Sequence, residues 1–281
     1  MELLDPVLVC DLFPLELRAL LQLLQGLDEQ AWHTPTVCAG WSVKDIAQHL
    51  LADDLGILSR KRDSFDYLSI AKTPYNLDSW DELVAFINEM NAIWVQATRR
   101  LSGQVLCTLL EFSGEELHRY FSTLDPYTMG DPVSWAGPAP APVWLDIARE
   151  YTERWLHQQQ IRDAVGKPGL KEREFFAPVL ETFIRALPHT YRDVHVSDGT
   201  SIRLIITGEA GGEWILLRDK GQWKLGKTTA SEAHASISLD QETAWRLFTK
   251  GMSKEDALSR ATISGDYALG VIAFNTVSII A

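Results

Sequence analysis

Glu153 and His157 stand four residues apart in the stretch YTERWLHQQQIRDAVG. On a helix that spacing puts both side chains on one face, with Cβ atoms roughly 6 Å apart. A carboxylate and an imidazole so placed can grip one divalent ion. A third ligand must come from elsewhere, and His49, in the N-terminal stretch TVCAGWSVKDIAQHL, is a candidate on a neighbouring helix. Three protein ligands leave one coordination position open, which is how catalytic zinc sites are built. The same donors suit Fe(II) or nickel, so ligand type does not fix the metal. A Glu/His pair at this spacing is equally at home on a solvated helix face, so periodicity permits the site without demanding it. Asp53, one turn after His49, can support that imidazole from behind or face water. Arg162 can meet an anionic substrate or pair with Asp163.

The elements that must position these residues are mostly helices. Pro14 opens PLELRALLQLLQGL, with leucines at helical spacing and Gly26 near its end. Ser42 with Asp45 three residues later is a capping-box-like start for the helix that carries His49. A third helix is predicted over Ser79–Arg100, and a shorter one up to about His118. The stretch HRYFSTLDPYTMGDPVSWAGPAPAP, rich in Pro, Gly and aromatic residues, reads as an extended or hairpin excursion. Pro142 then opens the helix carrying Glu153 and His157, and Gly166 stops it. Four substantial helices with a long connection before the last predict a four-helix bundle.

After GKPGLKERE the texture changes. A helix over about Phe175–Leu187 leads to SIRLIITG, to EWILLRDKGQWKLG with its Asp219-Lys220-Gly221 turn, and to ASISLD, all strand-like. QETAWRLFTKG and KEDALSRA read as helical, and the apolar end YALGVIAFNTVSIIA as a helix completing its own core. The fold class is therefore α followed by α+β, with domains at residues 1–168 and 169–281.

Composition narrows the function. The chain has 38 acidic against 26 basic residues, a net charge of −12. Nonspecific nucleic-acid binding needs cations to displace counterions, and an anionic membrane surface needs them too, so neither is an expected partner. No run approaches the roughly 20 apolar residues of a membrane span, and the acidic N-terminal stretch lacks the basic start of a signal peptide. Cys10, Cys38 and Cys107 are few, odd in number and widely spaced, which suits thiols in a cytoplasmic protein. Cys38 has no neighbouring base and reads as structural, and Trp41 as a packing residue of its turn. His33 is near enough to assist the site. His118, His189, His195 and His234 read as ordinary.

WHTPTVCAGWSVKDIAQHLLADD resembles the signature of the mycothiol-dependent maleylpyruvate isomerase family, a branch of the DinB-like superfamily. The matching residues are Trp32, Pro35, Thr36, Cys38, Gly40, Trp41, Ser42 and His49. Glu153, His157, Ile161 and Arg162 match its second motif, although Gln160 stands where the family usually has Asp. Thr243-Ala244-Trp245 and ATISGDYALG are similar to the sterol-carrier-like domain often attached to this bundle. The resemblance implies that His49, Glu153 and His157 bind a divalent metal, usually zinc, and that a low-molecular-weight thiol such as mycothiol is the cofactor.

An enzyme so built would hold the thiol as reactive thiolate and add it to a small electrophilic substrate. Addition followed by departure isomerises a cis double bond; addition alone is S-transfer. Arg162 would then meet a carboxylate of substrate or thiol. The alternative is a small-molecule or lipid-binding protein, or a stress-associated DinB-like protein, with a structural or vestigial metal site. The expected assembly is a monomer or homodimer.

Overall fold

The computed structural model describes residues 2–67, 73–77, 79–227 and 232–279. Its internal contacts divide the chain into two units. The helical unit holds residues 9–125 and 151–170; the other holds the residues up to Leu8, Pro126–Glu150 and Lys171 onward. The units are therefore interleaved along the chain.

In the helical unit, Pro14 sits in the first turn of α1 (Phe13–Gln25), where its missing N–H leaves no bond unmade. Leu17, Leu20, Leu21 and Leu24 form its buried stripe. A short helix, α2 (Glu29–Trp32), is capped by the Asp28 carboxylate, which accepts from the Ala31 N–H at 2.8 Å. The chain then turns sharply. Thr36 N–H donates to the Trp41 carbonyl and Trp41 N–H to the Cys38 carbonyl. Gly40 adopts φ +78°, a conformation that glycine takes without the Cβ penalty. This turn delivers the chain to α3 (Val43–Ile57), where Ser42 and Asp45 form the anticipated capping box. A π-helical turn, Leu58–Arg62, extends α3.

Two further helices, α4 (Trp80–Thr98) and α5 (Gly103–Phe121), pack on α3. Trp94 Nε1 donates to the Gln48 carbonyl at 2.8 Å, and Gln48 Nε2 donates to the Thr98 carbonyl at 2.7 Å, so α3 and α4 are tied in both directions. Gly114 is the point where α1 meets α5: a Cβ there would lie 2.8 Å from a Leu17 methyl. The long helix α6 (Val143–Val165) contributes residues from Tyr151 onward to this unit. Leu20, Ile46, Leu50, Leu106, Leu110 and Ile161 join these helices in one apolar core.

In the other unit, Pro126–Glu150 holds the expected hairpin-like excursion, closed by the Gly130 N–H to Ala141 carbonyl bond at 2.8 Å, and the first turns of α6. Val133, Trp135, Ala141 and Leu145 pack with Ala186, which follows α7 (Arg173–Phe183). That apolar cluster is why this segment groups with the C-terminal residues. A one-turn helix, α8 (Leu187–Thr190), leads into the sheet.

Six strands form that sheet: β1 (Glu2–Leu3), β2 (Ser201–Thr207), β3 (Gly212–Asp219), β4 (Gln222–Lys227), β5 (Ala235–Asp240) and β6 (Thr262–Gly265). Their order is β1-β4-β3-β2-β5-β6. The β2–β5 pair is parallel and the others are antiparallel. Lys220 at φ +50° and Gly221 at φ +73° make the two-residue β3–β4 turn, which follows the strand twist. Three helices, α9 (Gln241–Phe248), α10 (Lys254–Ser259) and α11 (Tyr267–Gly270), complete the unit. The apolar end continues from α11 as a 3-10 turn over Val271–Asn275 rather than as one long helix; its last residues, 280–281, lie outside the described residues. Helices in one region and a sheet with helices in the other make the fold α followed by α+β.

Candidate functional site

Local rules bring the sequence's candidates onto two helix faces. On α3, His49 and Asp53 are one turn apart, and His49 Nε2 lies 3.2 Å from Asp53 Oδ2. On α6, Glu153 and His157 repeat that spacing, with His157 Nε2 at 3.6 Å from Glu153 Oε2. The two imidazoles meet edge to face, ring centroids 4.7 Å apart and planes at 84°. The four candidates thus form two like pairs, imidazole beside carboxylate, held together by contact of their rings.

A buried polar network next to these faces sets the register. Asp54 and Arg154, each adjacent in sequence to a candidate residue, pair at 2.8 Å while almost wholly buried. Ser113 of α5 donates to the same carboxylate at 2.7 Å. Gln158, next to His157, donates to Glu16 Oε1 of α1 at 2.6 Å. These contacts hold α1, α3, α5 and α6 to one alignment, and His49 faces His157 as a result.

Burial governs the electrostatics. It pushes the His49 pKa down, with Glu153 and Asn91 pulling back. His157 falls to about 4, first by burial and then by the neighbouring His49, with Asp53 and Gln160 opposing. Both imidazoles are therefore neutral near pH 7, the protonation state a metal ligand needs. His49 Nδ1 is buried without a hydrogen-bond partner among the described residues.

Three further residues complete the surroundings. Gln160 Oε1 lies 2.7 Å from His157 Nδ1, and the Cys38 thiol donates to the same oxygen at 3.3 Å. Burial raises the Cys38 pKa, so this thiol stays protonated near neutrality. Trp41 packs on the other histidine, its ring centroid 5.2 Å from that of His49. The turn before α3 thus supplies both Cys38 and Trp41 to the site. Asn91 of α4 had no signal in the sequence. Gln160 had one, since it lies three residues after His157 on the same face.

Other candidates sit differently. The Arg162 guanidinium donates to Gln158 Oε1 at 2.8 and 3.0 Å and to the carbonyls of Ala19, Lys167 and Pro168, which fastens the end of α6. His33 is exposed and lies 3.3 Å from Glu29 on α2. Cys10, Cys38 and Cys107 are free thiols.

As folded, and among the described residues, no three His, Cys, Asp or Glu side chains are grouped so as to hold a metal ion. The donor types nevertheless suit one. Two neutral imidazoles and two carboxylates are adjacent, and one buried ring nitrogen is unsatisfied.

Fold and site together define a helical-bundle protein with a buried, neutral histidine pair flanked by carboxylates, joined in one chain to an α+β unit. The family described as mycothiol maleylpyruvate isomerase N-terminal domain matches residues 13–162, more than half of the chain, and the protein belongs to it. Two similar solved structures are crystal structures of mycothiol-dependent maleylpyruvate isomerase and of a mutant form. They share 12% and 10% identity with this chain, each at a TM-score of 0.49, covering 85% of this chain and 86% of theirs. No curated protein matches the chain. Among the described residues, no helix is long and apolar enough to cross a membrane.

Proposed function

We propose that this protein is a divalent-metal-dependent enzyme that uses a low-molecular-weight thiol, such as mycothiol, on a small electrophilic substrate. The reaction class is cis–trans isomerisation or S-transfer, and the compartment is the cytoplasm. The single observation that carries the reading is the edge-to-face contact of His49 and His157, each with a carboxylate one helical turn away.

In this reading His49, Glu153 and His157 would hold the ion, with the Asp53 and Gln160 contacts to the two rings retained. A divalent ion there, zinc before nickel or iron, supplies the Lewis acidity that keeps a bound thiol as thiolate. The chain's own residues do the rest. Asp53 takes the proton-bearing side of His49 and fixes its orientation. Trp41 covers the His49 ring and limits water on that side. Cys38 stays protonated, so it does not compete as a nucleophile. Arg162 is left out of the substrate-facing set because it clamps the end of α6.

The ligand-carrier alternative would need a cavity in the α+β unit. One apolar cavity among its described residues, lined by residues such as Leu204, Ile237, Leu247 and Phe274, measures about 10 Å³. That is room for about one water and none for a lipid.

Metal content after zinc reloading tests the proposal, measured by plasma mass spectrometry on wild type, His49→Ala and His157→Ala. About one equivalent in wild type and a loss in both folded variants is the expected result. A wild-type protein that takes up no zinc would remove the metal reading.

A further inference from the structure

We propose that Gln160 is a positioning residue: its side-chain oxygen fixes His157 as the Nδ1-protonated tautomer and leaves Nε2 as the bare nitrogen. The purpose of that choice rests on the metal reading above; the tautomer itself does not.

A neutral imidazole has one N–H and one lone pair, and the hydrogen bond made by one nitrogen decides the state of the other. At His157 the two sides are unequal. Gln160 Oε1 lies 2.7 Å from Nδ1, a full hydrogen bond. Glu153 Oε2 lies 3.6 Å from Nε2, beyond hydrogen-bond range. The proton therefore belongs on Nδ1.

The same oxygen also receives the Cys38 thiol at 3.3 Å. A carboxamide oxygen has two lone pairs, so it can serve both donors at once. Reversing the amide would point an N–H₂ group at the ring and at sulfur, and would force the proton of His157 to Nε2. Sulfur accepts weakly and carries its own S–H, so the observed arrangement satisfies more of the groups present.

The chemistry of an amide here differs from that of a carboxylate. An anion beside Nδ1–H draws the proton and makes the ring a more basic ligand. Gln160 orients the ring to the same degree without adding charge. It also tethers Cys38, whose thiol donates to the same oxygen.

The test is long-range ¹H–¹⁵N correlation on metal-free, full-length protein labelled at histidine. Wild type is compared with Gln160→Leu and Gln160→Glu, and His157→Ala assigns the resonances. The expected wild-type pattern is protonated Nδ1 and bare Nε2. Gln160→Leu is expected to lose that preference, and Gln160→Glu to restore it. Zinc affinity, read by competition with a chromophoric chelator, is expected to fall about 10–100-fold in Gln160→Leu. A wild-type His157 protonated at Nε2, or a tautomer unmoved by Gln160→Leu, overturns the proposal. Failure of wild type to bind zinc, with the tautomer as expected, removes the metal reading and leaves the orientation by Gln160 standing.

Discussion

Glu16 lies wholly buried on α1, its Oε1 accepting from Gln158 and its Oε2 without a hydrogen-bond partner among the described residues. Burial raises its pKa, against the opposing pull of Arg154 and Gln158. A raised pKa means that the folded state holds this proton more tightly than the unfolded chain does. Its stabilising contribution is therefore full below the ordinary glutamate range and is lost as pH rises through the raised value. Glu16→Gln keeps an acceptor for Gln158 and removes the charge. The variant should gain on wild type between pH 5 and pH 8 in urea unfolding, both values lying above the ordinary glutamate range. A stability difference that is flat, or that moves the other way, would count against this account. The site candidates were legible in the sequence where they share a helix: His49 with Asp53, and Glu153 with His157, obey a spacing rule. Cys38 and Asn91 were not read as partners of the histidines, because their approach depends on how separate segments pack. The role of Arg162 was open in the sequence for the same reason: its partners include carbonyls of Ala19, Lys167 and Pro168 that no motif marks.

The alignment of α3 against α6 rests on a buried ion pair whose partners sit beside the histidine-bearing face. Removing one member leaves the other charge without its counter-ion in a dry interior. Arg154→Met is accordingly expected to cost about 3–5 kcal/mol by urea unfolding, and a cost under about 1 kcal/mol would contradict a central role for the Asp54 contact. The capping box of α3 is a smaller contribution. Ser42→Ala should lower stability by about 1 kcal/mol, read by thermal unfolding, with far-UV circular dichroism otherwise unchanged. This cap was readable because capping is local chemistry: an oxygen three residues from the N–H that needs it. The same holds for Pro14, and for the Lys220-Gly221 turn. Strands β1 and β6 escaped notice because two and four residues carry no periodicity; pairing with β4 and β5 defines them.

Across the whole molecule, the grouping of 126–150 with the sheet follows from side chains that meet only after folding. Trp144 lies under the Arg185 guanidinium at 5.1 Å, and Asp5 accepts from Arg185 through its carbonyl at 2.5 Å. A fragment of residues 169–281 lacks both the excursion and the first strand. It is expected to show no cooperative unfolding transition, while a 1–170 fragment keeps helical circular dichroism but exposes Trp135 to solvent quenchers. A 169–281 fragment as stable as the full chain would refute the interleaving as an energetic fact. Composition and turn signals located the change of texture near residue 168, but no linear pattern reports that an earlier segment will join the later one.

That interleaving also imposes a timetable on synthesis. All residues of the helical unit, 9–125 and 151–170, have been made once residue 170 has left the ribosome. Trp135 and Trp144 emerge earlier but must wait for Arg185 and Ala186. Glu2 and Leu3 wait longer still, until Gly226 and Lys227 are made. At ordinary elongation rates of about 5–20 residues per second, the nascent chain carries an unpaired strand and an apolar hairpin for several seconds or more. Capture by a chaperone, or sticking to a neighbouring nascent chain, is therefore expected to concentrate in ribosomes paused between the end of α6 and the completion of β4.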